Sequence, residues 1–175
     1  MPAAQHLDAR GERAVYAEHE NDPDDPRYLD YLRSLADPVR AHVPVPAQGL
    51  DYGCGPGPGM GSAMGEGYAV TNYDPLYFLD AAPLEKHYYF ITCCEAAEHF
   101  SNPRKEFGRL GAALAPGGVL GIRTEVPPED FGSWWYHGDP THVSFYSIAT
   151  MEWVARWQGW RLKQAAGNVF LFLGE

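Results

Sequence analysis

A glycine-rich turn follows the first strand-like segment of the chain and restricts the folds that can contain it. The sequence LDYGCGPG at residues 50–57 places glycine at alternate positions directly after an apolar stretch and an acidic residue. Glycine has no Cβ atom and adopts positive φ angles at little cost, so such a turn lets the backbone approach a ligand closely. The alternative is a glycine- and proline-rich turn that binds nothing.

A second acidic residue, Asp74, ends the strand-like run at residues 68–73. A glycine turn after the first strand and an acid at the end of the second form a nucleoside pocket in doubly wound folds. The dinucleotide fingerprint G-x-G-x-x-G is incomplete, because the positions for its third glycine hold Pro58, Met60, Ser62 and Met64. The missing glycine argues against a nicotinamide-dependent oxidoreductase, which is kept as an alternative. Binding of a dinucleotide would support that alternative.

The composition indicates one globular domain. The chain has 175 residues and a formal net charge of −10. A surface of that sign repels phosphate backbones, so we expect a small-molecule partner and no nucleic acid. No apolar run reaches the roughly 20 residues that cross a bilayer, and the N-terminus has no apolar signal-peptide core, so we expect no membrane partner and a cytoplasmic location. The three cysteines form no C-x-x-C pair and are expected to be reduced.

Apolar periodicity and turn residues predict alternating strands and helices. Strands are expected at about 48–53, 68–73, 88–93, 119–122, 160–162 and 169–172. Helices are expected at about 27–36, 59–66, 103–114 and 148–158, the last with Ser147 as its N-cap. Residues 1–26 are polar and turn-rich, and we expect them to be mobile or folded over the rest. The order predicts an α/β sandwich that ends in an antiparallel hairpin.

Motifs spread along the chain resemble those of class I S-adenosylmethionine-dependent methyltransferases. The acid and glycines at 51–57 resemble motif I, the junction CEAAEHF at 94–100 resembles the fourth-strand motif, and LAPGG at 114–118 resembles the turn after the next helix. Segment 134–147 and the pattern Tyr16-x-x-His19-x-Asn21 resemble a subgroup of small bacterial methyltransferases of unassigned substrate. The resemblance implies a Rossmann-like three-layer sandwich with a mostly parallel sheet.

The resemblance also implies S-adenosylmethionine as the cofactor. It places Asp51 near the amino group of the methionine moiety, the glycines beneath the ligand, and Asp74 at the ribose hydroxyls. The alternatives are that Asp74 caps the turn before Pro75 and that Asp51 caps the glycine turn. The predicted cofactor contacts lie at three strand ends, where open α/β sheets bind ligands: Asp51, Gly53, Cys54, Gly55, Gly57, Asp74, Pro75, Cys94 and Glu95.

One departure from the family concerns the sheet. Too few residues separate Asp74 from the strand at 88–93 for the usual third strand and its helix. We therefore predict that the third strand is missing or reduced and that the sheet has six strands. The expected organisation is an N-terminal helical lid over residues 1–46 and a methyltransferase domain over residues 47–175.

Two histidines are candidate catalytic bases, because imidazole titrates near neutrality. His142, in an aromatic loop before the last helix, could take a proton from an acceptor hydroxyl or amine; its alternative is a structural hydrogen bond to Asp139. His99 is the second candidate. Glu95, Glu98 and His99 also resemble a spacing that binds a divalent metal in some quinone O-methyltransferases, but packing or capping is the favoured interpretation, so no metal is predicted.

An aromatic segment precedes the last helix and is expected to form a wall for the methyl acceptor. Aromatic faces also attract a sulfonium cation. At least two of the five rings in this segment are expected to pack in the core and not to line the site. The residues assigned to acceptor binding are Trp134, Trp135, Tyr136 and Tyr146, with Phe145 as the fifth ring.

These observations predict transfer of a methyl group from S-adenosylmethionine to an oxygen or nitrogen atom of a small molecule. A non-catalytic cofactor-binding or interaction module on the same fold is the second hypothesis, because the third strand is reduced and the first helix is glycine-rich. Turnover would discriminate between the two.

Overall fold

A computed structural model describes residues 2–18 and 21–175 as an α/β protein. Its strands are β1 (Ala47–Tyr52), β2 (Tyr68–Tyr73), β3 (Tyr88–Cys94), β4 (Leu114–Arg123), β5 (Arg161–Ala166) and β6 (Val169–Leu173). Its α-helices are α1 (Ala9–Tyr16), α2 (Pro26–Arg40), α3 (Met60–Met64), α4 (Pro103–Ala113) and α5 (Ile148–Gln158). Apart from α1, the elements are those that the sequence pattern predicts, with shifted ends.

The strands form one six-stranded sheet in the order β2-β1-β3-β4-β6-β5. Neighbours from β2 to β4 are parallel, whereas β6 is antiparallel to both β4 and β5. The predicted mostly parallel sheet with a C-terminal antiparallel hairpin is confirmed. The chain between β2 and β3 contains a turn and a 3-10 helix (Ala82–Glu85) but no strand, so the third strand is missing as predicted.

Helices cover both faces of the sheet and give the expected three layers. One core joins the sheet to α4 and α5 through residues such as Phe107 and Met151. The other joins it to α2 and α3 through residues such as Leu35 and Met60. Each such side chain is fully buried and contributes about 1.5–3 kcal/mol relative to exposure. The two cores fix the sheet and therefore the strand ends that carry the site.

Helix α2 begins one residue before the predicted start and continues four residues past the predicted end. Asp25 caps it by accepting a hydrogen bond from the Arg27 amide at 2.8 Å, and Pro26 occupies its first turn. Pro38 lies inside the helix, where it removes one backbone hydrogen bond. Val39 beyond it is fully buried, so apolar packing outweighs that cost. No helix of the described residues, α2 included, is long and apolar enough to cross a membrane.

Helix α1 is not among the predicted helices; three of its eight residues are charged, one is glycine, and none of them is buried. Asp8 caps it through the Gly11 amide at 2.8 Å. It docks through Arg13, whose Nη2 donates to the Leu76 carbonyl at 2.7 Å. Thus this part of the N-terminal segment is folded over the domain. His19, part of the predicted N-terminal motif, lies outside the described residues.

Candidate active site

A cavity of about 750 Å³ lies at the carboxyl ends of β1, β2 and β3. The strand order reverses here, because β2 lies on one side of β1 and β3 lies on the other. Open α/β sheets bind ligands at such a point, and the volume falls in the range of small-molecule sites. Helices α1 and α2 complete the wall with Tyr16, Tyr28 and Tyr31.

The glycine turn after β1 forms one wall of the cavity. Gly53 and Gly55 have φ angles of 79° and 64°, which disfavour other residues. A Cβ atom on Gly53 would lie 2.4 Å from the Cβ of Ala96, whereas one on Gly55 would meet no atom within 4 Å. The backbone at Gly55 is therefore open to the cavity. Cys54 and Pro56 also line it.

Gly57 has a different role from the other turn glycines. It does not line the cavity; a Cβ atom there would lie 2.0 Å from the carbonyl oxygen of Asn21. Tyr28 approaches from α2 and donates its hydroxyl proton to the Gly57 carbonyl at 3.3 Å. Gly57 thus allows the N-terminal segment to pack against the turn.

Asp74 lies at the end of β2 and lines the cavity beside Pro75. Its Oδ2 accepts a hydrogen bond from the Gly55 amide at 3.0 Å, and its Oδ1 accepts from the Leu76 and Tyr77 amides at 2.8 and 3.1 Å. Asp74 therefore caps the turn that follows β2, which is the alternative role predicted for it. Each carboxylate oxygen has two acceptor positions, so the Oδ2 that bonds Gly55 has capacity for one further donor.

Asp51 is buried at the end of β1 and does not itself line the cavity. Its Oδ1 accepts a hydrogen bond from the hydroxyl of Thr92 on β3 at 2.9 Å. Burial raises the pKa of Asp51 to about 7; the Thr92 hydrogen bond opposes this shift, and the Asp74 charge adds to it. A cationic group in the cavity would stabilise the ionised form.

Glu95 follows β3 and has a φ of 47°, which is unusual for a residue with a side chain. Its Oε1 pairs with Nε of Arg123 at 3.2 Å, and its Oε2 accepts from the Tyr136 hydroxyl at 2.7 Å. Both oxygens are thus engaged by protein groups. Cys94 beside it also lines the cavity, and burial raises its pKa, so the thiol stays neutral.

Glu98, His99 and His142 lie together in the lining of the same cavity. Nδ1 of His99 lies 3.0 Å from the Thr141 carbonyl, and Nδ1 of His142 lies 2.7 Å from the Tyr136 carbonyl. Because a carbonyl only accepts, each Nδ1 is the donor in this contact, and in the corresponding tautomer the lone pair is on Nε2. The hydrogen bond to Asp139 predicted as the alternative for His142 is not formed, because Nε2 lies 3.9 Å from Asp139 Oδ2, beyond hydrogen-bond distance.

Glu98 is fully buried beside these histidines. Its Oε2 accepts a hydrogen bond from the Thr124 hydroxyl at 2.9 Å, but its Oε1 has no hydrogen-bond partner among the described residues. Burial and then the neighbouring Glu95 charge raise the pKa of Glu98 to about 8.

The aromatic segment divides between the cavity and the core. Trp135, which is 75% exposed, and Tyr136 line the cavity. Trp134 does not; its ring packs against Tyr136 and Phe145. Tyr146 is buried in the core, where its hydroxyl donates to the Ala97 carbonyl at 2.9 Å. The structure therefore brings only two of the four predicted acceptor residues to the cavity.

Sequence reasoning did not identify the cavity residues of α2 or Arg123. Tyr28 and Tyr31 contribute to the helical periodicity that predicts a helix at 27–36. Tyrosines in place of aliphatic residues are a signal for a partly polar surface. The Arg123 guanidinium lies 3.9 Å from the centre of the Tyr31 ring, besides its ion pair with Glu95. Its position at the end of β4 was the available signal.

Comparison with known proteins identifies a family that the chain matches. A sequence model of a family described as "Methyltransferase domain" matches residues 18–165. This range includes the glycine turn, Asp74 and the histidine cluster. No protein of curated function matches the sequence.

Solved structures share the fold at low identity. Streptomyces venezuelae DesVI matches with a TM-score of 0.64 and 13% identity, over 97% of this chain and 100% of that one. An O-methyltransferase family protein from Burkholderia thailandensis has a TM-score of 0.54 and 17% identity, over 94% and 62%. Haemonchus contortus phosphoethanolamine N-methyltransferase 2 in complex with S-adenosyl-L-methionine has a TM-score of 0.58 and 17% identity, over 90% and 44%.

Proposed function

Because the chain belongs to the class I S-adenosylmethionine-dependent methyltransferase family, we propose that it transfers a methyl group from S-adenosylmethionine to an oxygen or nitrogen atom of a small molecule. One observation carries the proposal. The open glycine turn and Asp74 share a single cavity with Glu98, His99 and His142. A cofactor and an acceptor can therefore lie side by side in it, and positioning of this kind provides much of the rate enhancement in a two-substrate reaction.

The residues on the glycine side suit the cofactor. The turn at Gly53–Pro56 would hold it against the backbone, and Asp74 would accept hydrogen bonds from its ribose hydroxyls. The ionised carboxyl of Asp51 would attract its ammonium group. When bound, the cofactor supplies a methyl group activated by a sulfonium centre. The open space at Gly55 supports this assignment, because any side chain there would enter the cradle.

A second group of lining residues suits the acceptor. Trp135 and Tyr136 offer aromatic faces, and His142 and His99 offer two Nε2 lone pairs near one point. We propose that these histidines help the acceptor to lose its proton, with His142 the more important, which makes its oxygen or nitrogen nucleophilic. The net charge of −10 favours a neutral or cationic small molecule over a nucleic acid.

The N-terminal segment, residues 1–46, would act as a lid. The edge of the Tyr16 ring packs on His99 with 5.3 Å between ring centres, and Arg13 ties α1 to the turn after β2. Closing such a segment excludes water from the reaction.

Calorimetric titration with S-adenosylhomocysteine tests the cofactor site. We expect micromolar binding by the wild type and at least tenfold weaker binding by Asp74→Asn, which keeps one acceptor oxygen for the turn amides. Asp80→Asn is the matched control, because Asp80 also caps a turn, through the Ala82 amide at 3.0 Å, but lies outside the cavity. Equal affinity of wild type and Asp74→Asn, or no binding by either, would contradict the proposal.

A second experiment tests turnover and the class of acceptor. Protein is incubated with S-adenosylmethionine labelled in the methyl group and a fractionated cell extract. We expect label in the low-molecular-weight fraction and a loss of about 10²–10⁴-fold in rate for His142→Ala, with S-adenosylhomocysteine binding retained. Label confined to protein or nucleic acid would refute a small-molecule acceptor, and binding without any labelling would favour the non-catalytic module.

A further inference from the structure

Glu98 has one buried side-chain oxygen, Oε1, that accepts no hydrogen bond within the part of the chain that the structure describes. The Glu98 side chain as a whole is fully buried. A buried polar atom left in this state costs about 1–3 kcal/mol, and more when it is charged. Native proteins seldom retain such an atom without a use for it, such as binding an ion.

Two imidazole nitrogens lie near this oxygen. Nε2 of His99 is 3.9 Å from Oε1 of Glu98, and one ligand atom each from Glu98, His99 and His142 lie within 4.8 Å of one another. Two ligand atoms on one tetrahedral zinc ion lie about 3.4 Å apart, given metal–ligand distances of about 2.1 Å. Small side-chain rotations would therefore bring the three atoms to coordination distance.

The groups behind the three side chains hold them in place. Backbone carbonyls of Thr141 and Tyr136 accept the Nδ1 protons of the two histidines, and the Thr124 hydroxyl donates to the second oxygen of Glu98. Metal-binding histidines almost always donate their other N–H in this way, which fixes the ring and turns Nε2 toward the metal.

From this arrangement we propose that Glu98, His99 and His142 bind one divalent transition-metal ion, such as Zn²⁺, Co²⁺ or Fe²⁺. Two imidazoles and one carboxylate suit such ions, whereas Mg²⁺ prefers oxygen ligands. The Glu-x-x-Glu-His spacing indicates a different set of ligands that includes Glu95. Both oxygens of Glu95 are engaged by Arg123 and Tyr136, so His142 takes its place in the proposed site.

The consequence for catalysis rests on the proposed methyltransferase function. Three protein ligands leave at least one coordination position open, and all three residues line the cavity. An acceptor hydroxyl that fills this position would have a lowered pKa and would lose its proton to water as it binds, before the N-terminal segment closes. The resulting oxyanion forms the new C–O bond while the C–S bond breaks and S-adenosylhomocysteine leaves. The histidines would then promote loss of the proton through the ion.

Metal titration of tag-free, chelator-treated protein tests the site. Calorimetry with Zn²⁺ and visible absorption with Co²⁺ report binding directly, without any acceptor. We expect one ion per chain, and at least tenfold weaker binding by Glu98→Gln, His99→Ala and His142→Ala. His87→Ala is the control, because His87 is exposed and outside the cavity, and it should bind as the wild type does.

S-adenosylhomocysteine binding by each variant shows that it is folded, and it separates this proposal from the cofactor site. No metal binding by the wild type would overturn the proposal, as would unchanged affinity in Glu98→Gln. Loss of binding in His87→Ala would assign the ion to surface histidines and would overturn it as well. Intact metal binding without S-adenosylhomocysteine binding would instead refute the proposed function.

Discussion

Asp51→Asn is expected to stabilise the protein at alkaline pH while it weakens the cofactor site. Asp51 is 5% exposed, and burial raises its pKa to about 7 from the ordinary value of 3.8 for an aspartate. Between these values the folded protein holds a proton that the unfolded chain has released. The contribution of Asp51 to stability is therefore most favourable below pH 4, falls as pH rises toward 7, and is least favourable above pH 7.

The size of the effect follows from the shift. A pKa raised from 3.8 to about 7, at about 1.36 kcal/mol per unit, lowers the free energy of unfolding by about 4 kcal/mol at high pH relative to low pH. About 3 kcal/mol of this loss develops between pH 5 and pH 8.5. Asparagine does not titrate, and its side-chain oxygen can still accept the Thr92 hydroxyl. The gain in stability from Asp51→Asn should therefore be about 3 kcal/mol larger at pH 8.5 than at pH 5, or about 6–12 °C in melting temperature.

Urea denaturation at pH 5, 7 and 8.5 measures this difference. Asp80→Asn is the control, because Asp80 is exposed and caps a turn outside the cavity. The same gain from Asp51→Asn at all three values would refute the reasoning, because it would mean that Asp51 does not titrate with a raised pKa. In the wild type, affinity for S-adenosylhomocysteine should fall as pH drops below about 7, since a neutral Asp51 no longer attracts the ammonium group.

Two further substitutions test local features of the fold by urea denaturation. Gly53→Ala should lower the free energy of unfolding by about 1–3 kcal/mol, because Gly53 has a φ of 79° and the new Cβ would overlap Ala96. The control is Gly108→Ala in α4, where no atom lies near the new Cβ, and this substitution should not be destabilising. Ser147→Ala should cost about 1 kcal/mol, because Ser147 Oγ accepts the Thr150 amide at the start of α5. Unchanged stability in Gly53→Ala or Ser147→Ala would contradict these assignments.

The sequence by itself determined the order of the elements and the place of the glycine turn. Apolar periodicity identified the strands, and a short gap after Asp74 correctly predicted that the third strand is missing. The glycines at 53 and 55 permit positive φ angles, and the structure has them. Such signals are local, because backbone conformation and burial of one face depend mainly on neighbouring residues.

The tertiary structure decided which distant side chains meet. Glu98 and His142 are separated by 43 intervening residues, and only the packing of their two loops brings them together. It also engaged Glu95 with Arg123 and buried Tyr146 in the core, neither of which sequence spacing could show. Periodicity specifies which side of an element is buried, but contacts between loops depend on how the complete sheet and its helices pack.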